Sequence, residues 1–145
     1  MLRLTDEQRE FLLRLPAKTA KVATTRADGR PHVTPVWCAF ETSGEGDTLL
    51  FTTGERGVKG TNLRREPRIA LCIDDETPPF SFLILEGVAN ISDNLADLRY
   101  WAGRIAGRYM GEDRAEEYGR RNGVPGELLI RVELTHATFA KDIAL

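Results

Sequence analysis

The run Thr52-Thr53-Gly54-Glu55-Arg56-Gly57-Val58-Lys59 has the makings of an anion cradle: two hydroxyls, a glycine-containing turn, and a cation entering a basic segment. The hydroxyls of Thr52 and Thr53, backbone amides near Gly57 and the Lys59 ammonium could together hold a phosphate. Unpaired N–H groups and the aligned peptide dipoles favour negative charge at a helix start. The same residues also fit a plain surface turn on which Arg56 and Lys59 are merely solvated. Other chemistries lack their residues. The chain has two histidines, His32 and His136, and neither has a His or Cys three or four positions away, so no metal site is expected. No serine stands in a Gly-x-Ser-x-Gly elbow, which disfavours triad hydrolysis. The glycine signatures of Rossmann and P-loop nucleotide sites are also absent.

The elements that position this run can be read from periodicity. Thr5 followed by Asp6, Glu7 and Gln8 opens a capped helix with Phe11, Leu12 and Leu15 on one face, and Pro16 ends it. Thr19 to Thr25 and His32 to Glu41 read as a hairpin about the turn Arg26-Ala27-Asp28-Gly29-Arg30. Thr48 to Thr53 is a third strand, and Val58, Asn62 and Leu63 give helical spacing to a short basic helix closed by Pro67. Arg68 to Ile73 and Phe80 to Ile91 are strands four and five, with Gly87 marking a bulge or a close backbone approach. Helices over Leu95 to Tyr109 and Glu112 to Asn122 follow, and Leu128 to Thr138 is a sixth strand. Six strands with the helix segregated near the ends imply an antiparallel barrel or α+β sheet rather than βαβ units.

A length of 145 residues suits one domain, 1–145, able to bury its own core. The balance of 20 basic against 22 acidic residues provides no field to hold nucleic acid or an anionic membrane, so phosphate binding must be local. Cys38 and Cys72 lie in apolar runs and read as buried free thiols. No signal-like segment opens the chain and no apolar run approaches a membrane span, so a cytoplasmic location is expected.

Three blocks carry a family resemblance: Arg26 through Trp37, Leu50 through Arg68 with Lys59 eight residues before Pro67, and Leu85 through Asp93. They resemble the pyridoxamine 5'-phosphate oxidase-like proteins, and within them the branch that uses the deazaflavin coenzyme F420. The resemblance runs from about Leu4 to Asp142. It implies a mostly β (α+β) fold, a six-stranded antiparallel split β-barrel with flanking helices, binding F420 or, alternatively, FMN. Thr34, Pro35, Val36 and Trp37 would line the flavin ring. Thr52, Thr53, Arg56, Gly57, Val58 and Lys59 would meet the phosphate, with Arg64 and Arg65 on the carboxylate tail of F420. The resemblance further implies a homodimer with its sites between subunits, and hydride transfer to or from an unsaturated or electron-poor small molecule.

This chain departs from the family pattern in three places. Val58-Lys59 stands where flavin-bound oxidases have Arg-Lys, and Arg56 is the candidate replacement from the other side of the turn. Leu134-Thr135-His136 replaces an Arg-x-His substrate motif, which argues against pyridoxal phosphate synthesis. Val88 follows Gly87 where an Arg is common. No catalytic side chain is assigned, and His32 is a cofactor contact, a proton donor or a solvated strand residue. On the helix after Asp93, Trp101 and Ile105 read as core, while Arg104 and Arg108 share their face. Competing readings are an FMN oxidase or reductase of the same fold, a carrier without turnover, and a dimer without ligand.

Overall fold

A computed structural model describes residues 2–145. Helix α1 (Asp6–Leu13) begins with the expected capping box: the Thr5 hydroxyl accepts from the Gln8 N–H at 3.1 Å, and the Gln8 side chain accepts from the Thr5 N–H at 3.0 Å. Strands β1 (Ala20–Thr25) and β2 (Pro31–Val36) form the expected hairpin, with Gly29 at φ +87° in its turn, where a side chain would be strained. His32, Thr34 and Val36 alternate on its more buried face, while Val33 and Pro35 are exposed.

The strand read as His32 to Glu41 is in fact two strands, which makes seven in all. β2 ends at Val36, and β3 (Ala39–Ser43) starts two residues later with a different partner, β4 (Gly46–Gly54). The break follows from where the Cys38 backbone finds its hydrogen bonds. Its N–H donates to the Tyr109 hydroxyl at 3.0 Å and its carbonyl accepts from the Arg108 guanidinium, so neither group joins a ladder.

The strand order is β2-β1-β5-β6-β7-β4-β3, all antiparallel, with β5 (Arg68–Asp75), β6 (Ser81–Ser92) and β7 (Glu127–Ala140) at its centre. The two outermost strands are therefore consecutive in the chain. Three Cα steps of about 3.8 Å join Val36 to Ala39, so the sheet must curl until its ends lie within roughly 11 Å of each other. Among the described residues no ladder closes between them.

Apolar side chains of the concave face, among them Val22, Phe51, Leu71, Leu83, Leu85 and Ile130, fill the main core with Phe11 and Leu12 of α1. β4 is buried on both faces, which explains its unbroken Leu49-Leu50-Phe51 run. Its outer face, with Leu129 of β7, receives Leu98, Trp101 and Ile105 of α3 (Leu95–Met110), so Trp101 and Ile105 are core as expected. Asn94 caps α3 by accepting the Asp97 N–H at 3.0 Å. The helix expected over Glu112 to Asn122 is a 3-10 turn (Glu112–Arg114) followed by α4 (Ala115–Asn122). The basic helix is α2 (Val58–Arg65).

At Gly87 both readings hold. The β6–β7 register slips between Glu86 and Gly87, and a Cβ on Gly87 would stand 2.3 Å from the Glu133 carbonyl oxygen. Cys38 and Cys72 are both free, but only Cys38 is buried; Cys72 is partly exposed on β5. Among the described residues, no helix is long and apolar enough to cross a membrane.

Candidate functional site

The end of β2 meets the turn into α2 across a cleft of about 250 Å³. Pro35, Val36 and Trp37 form one wall, and Thr52 of β4 and Lys59 of α2 form another. α3 and α4 add Ala102, Ile105 and Asn122. Five residues named from sequence thus meet in one place, three of them apolar and one a cation. Among the described residues Lys59 forms no ion pair, so its charge is available to the cleft. The Glu127 carboxyl is pushed up by burial and opposed by the Lys59 charge, which sets Lys59 within electrostatic reach of it.

Trp37 is held by two tyrosines. Its ring stacks on Tyr109 with centroids 5.1 Å apart and planes 6° from parallel, and it meets the Tyr118 ring edge-on at 6.0 Å. The Tyr109 hydroxyl donates to the Lys18 carbonyl at 2.8 Å while accepting the Cys38 N–H, so two bonds at one hydroxyl fix the Tyr109 side of the stack. Burial pushes the Tyr109 phenol up, and the Cys38 thiol likewise, so both stay protonated at neutral pH.

A second cleft, of about 410 Å³, lies between the β1–β2 turn and the start of α2. Arg26 and Arg30 line it from the turn, and Arg56, Gly57, Val58 and Arg65 from the other side. Its one carboxylate, Asp28, accepts from the Arg30 N–H at 3.1 Å and pairs with the Arg30 guanidinium at 2.8 Å, and these two contacts, the first foremost, keep Asp28 below the usual carboxylate range. Arg65 bonds the Thr25 carbonyl, and Arg56 has no ion pair among the described residues. The cradle read as one site is therefore split: Lys59 and Thr52 line the aromatic cleft, while Arg56, Gly57 and Val58 line the arginine cleft. Thr53 is buried in β4, paired with Leu128, and Arg64 approaches Glu55 at 3.9 Å.

Two buried polar atoms of β2 lack any partner among the described residues: His32 Nδ1 and Thr34 Oγ1, two residues apart on its more buried face, although neither residue lines either cleft. A buried group without a hydrogen bond is costly and calls for a ligand or water. The His32 imidazole is lowered from its ordinary value by burial, and then by the positive charges of Arg26 and Lys59, so it is neutral at pH 7. A cleft walled by Pro35, Val36 and Trp37 with an unpaired lysine suits a flat anionic ligand.

Sequence reasoning missed Ala102 and Asn122, which line the cleft, and the tyrosines that pack on Trp37, all of them from helices 65 residues or more beyond Trp37. Ile105 had a signal, its helical spacing with Trp101, but that spacing identifies a packed face without naming what it faces.

Comparison with known proteins follows the same lines. A solved structure named F420 Reductase is 25% identical, with a TM-score of 0.66 over 89% of this chain and 94% of its own. A conserved hypothetical protein from Mycobacterium tuberculosis is 21% identical, with a TM-score of 0.77 over 98% of this chain and 89% of its own. General Stress Protein 26 from Bacillus anthracis is 16% identical, with a TM-score of 0.58 over 84% of this chain and 83% of its own. The last two likenesses speak to fold alone. Comparison with curated proteins finds no match. The family model described as pyridoxamine 5'-phosphate oxidase matches residues 4–140, nearly the whole chain, and the protein belongs to that family.

Proposed function

We propose that the aromatic cleft and the arginine cleft together hold one elongated anionic redox cofactor, a deazaflavin of the F420 type. On this reading the protein is an oxidoreductase acting on an unsaturated or electron-poor small molecule. The observation that carries it is the Lys59 ammonium, without an ion pair among the described residues, in a cleft walled by Pro35, Val36 and Trp37, the strand of that wall also holding the orphaned His32 Nδ1 and Thr34 Oγ1. The likeness to the F420 reductase supports the choice of deazaflavin, and so does the neighbouring arginine cleft, which suits the carboxylate tail that FMN lacks.

Bound there, the cofactor supplies a ring carbon that gives or takes a hydride. The chain's residues orient and shield it. Pro35, Val36, Trp37 and Ile105 cover the ring and exclude water, while Thr34 and His32 hydrogen-bond its polar edge. Lys59 and the Thr52 hydroxyl, which share the aromatic cleft, take the phosphate. Arg56 and Arg65, which line the arginine cleft, take the tail. No side chain is assigned a proton.

At about 250 Å³ the aromatic cleft lies below the usual range of about 300–1,000 Å³ for sites that bury most of a ligand. A second copy of the chain completes it, so the working unit in this reading is a cytoplasmic homodimer with two sites between subunits. Titration of the cofactor-free protein with coenzyme F420 and with FMN, followed by tryptophan fluorescence, tests the assignment. Micromolar binding of F420 with weak binding of FMN is expected. The reverse preference would move the protein to the FMN branch, and binding of neither would remove the redox reading.

A further inference from the structure

A third cavity, of about 490 Å³, belongs to neither cleft. It lies on the other side of α3, between the end of α1 and the start of β3. Leu13, Leu15, Phe40 and Trp101 make an apolar floor, and Arg104 and Arg108 stand in its wall. Leu13 and Leu15 are 43% and 68% exposed, so apolar surface at the mouth is left for something to cover.

The two arginines set the chemistry. Neither forms an ion pair among the described residues. Arg108 is fixed by donating to the carbonyls of Cys38 and of Leu12, the latter at 3.0 Å, which satisfies donors but leaves its charge uncancelled. Arg104 is exposed, lying over the rings of Tyr100 and Trp101 at 5.6 and 5.8 Å. The single acid of the wall, Glu112, leaves a net charge of one cation: two arginines less one carboxylate. A monoanion fits that balance, whereas a dianionic phosphate would outweigh it.

From these observations we infer a binding site for an amphiphilic monocarboxylate, its apolar body on Leu13, Leu15, Phe40 and Trp101 and its carboxylate on Arg104. The site is independent of the cofactor reading, because Ala102 and Ile105 face the aromatic cleft while Trp101, Arg104 and Arg108 face this cavity.

The chain's two tryptophans divide between the two places, so Trp37→Phe leaves Trp101 as the sole reporter on the cavity. Decanoate below its micellar concentration is titrated into that variant, with decanol as the uncharged control. Saturable quenching by decanoate, with decanol weaker by about tenfold, is expected, since a guanidinium–carboxylate contact contributes on that scale. Arg104→Gln should abolish the difference between the two. Calorimetric titration of the unmodified chain gives the same comparison without relying on the Trp37 substitution. Absence of saturable binding, equal affinity for decanol, an undiminished affinity in Arg104→Gln, or competitive displacement by coenzyme F420 would each overturn the assignment.

Discussion

Tyr109 lies flat against Trp37, with ring centroids 5.1 Å apart and planes 6° from parallel, although the two residues are 72 positions apart in the chain. The contact joins α3 to the point where the sheet passes from β2 to β3. The Tyr109 hydroxyl also accepts the Cys38 N–H and donates to the Lys18 carbonyl, so one side chain secures the strand break, the lead into β1 and the aromatic wall of the cleft.

Tyr109→Phe keeps the stack and removes the hydroxyl, leaving the Cys38 N–H and the Lys18 carbonyl without their partner. Loss of a part-buried bond of this kind should cost about 1–3 kcal/mol. Urea unfolding measures it, and an unchanged midpoint would show that the hydroxyl does not hold the break.

Lys59→Ala should weaken cofactor binding by about 1.5–3 kcal/mol, the scale of a charge-assisted hydrogen bond. Arg56→Ala acts in the other cleft and should weaken coenzyme F420 while sparing FMN. Dissociation constants of both variants for both cofactors check this; equal losses for FMN and F420 in Arg56→Ala would remove the arginine cleft from the tail-binding role.

The His32 imidazole lies below its ordinary value of 6.5 in the folded chain, chiefly through burial. As pH falls through that value the unfolded chain takes up the proton first, so stability is intact above it and declines below it. Urea midpoints between about pH 5 and 8 should fall further on acidification for the parent protein than for His32→Gln. Parallel curves would count against a neutral, enclosed His32.

Gly87→Ala places a methyl 2.3 Å from the Glu133 carbonyl oxygen, backbone that cannot rotate aside. A destabilisation of about 1–3 kcal/mol or more is expected from such overpacking, seen as a lower melting temperature. A melting temperature equal to that of the parent would show that β6 and β7 can part there without cost.

Much of this molecule is local in origin and was legible along the chain. The capping box at Thr5, the Gly29 turn, the basic α2 and the bulge at Gly87 each follow from a few neighbouring residues whose backbone preferences agree. The residue types of the site were legible too: Pro35, Val36, Trp37, Thr52 and Lys59 were named from sequence and share one cleft. What only the tertiary structure decided is how long-range packing divides and completes them. His32 to Glu41 reads as one strand because every residue in it suits extended backbone. It breaks at Trp37 and Cys38 because Tyr109 and Arg108, seventy residues on, take the Cys38 backbone bonds. Arg56 and Lys59 read as one cradle because they are three residues apart, yet they line different clefts once α2 is seated between the β1–β2 turn and β4. Periodicity reports which face of an element is apolar, whereas the identity of the partner depends on contacts between distant segments that no local window contains.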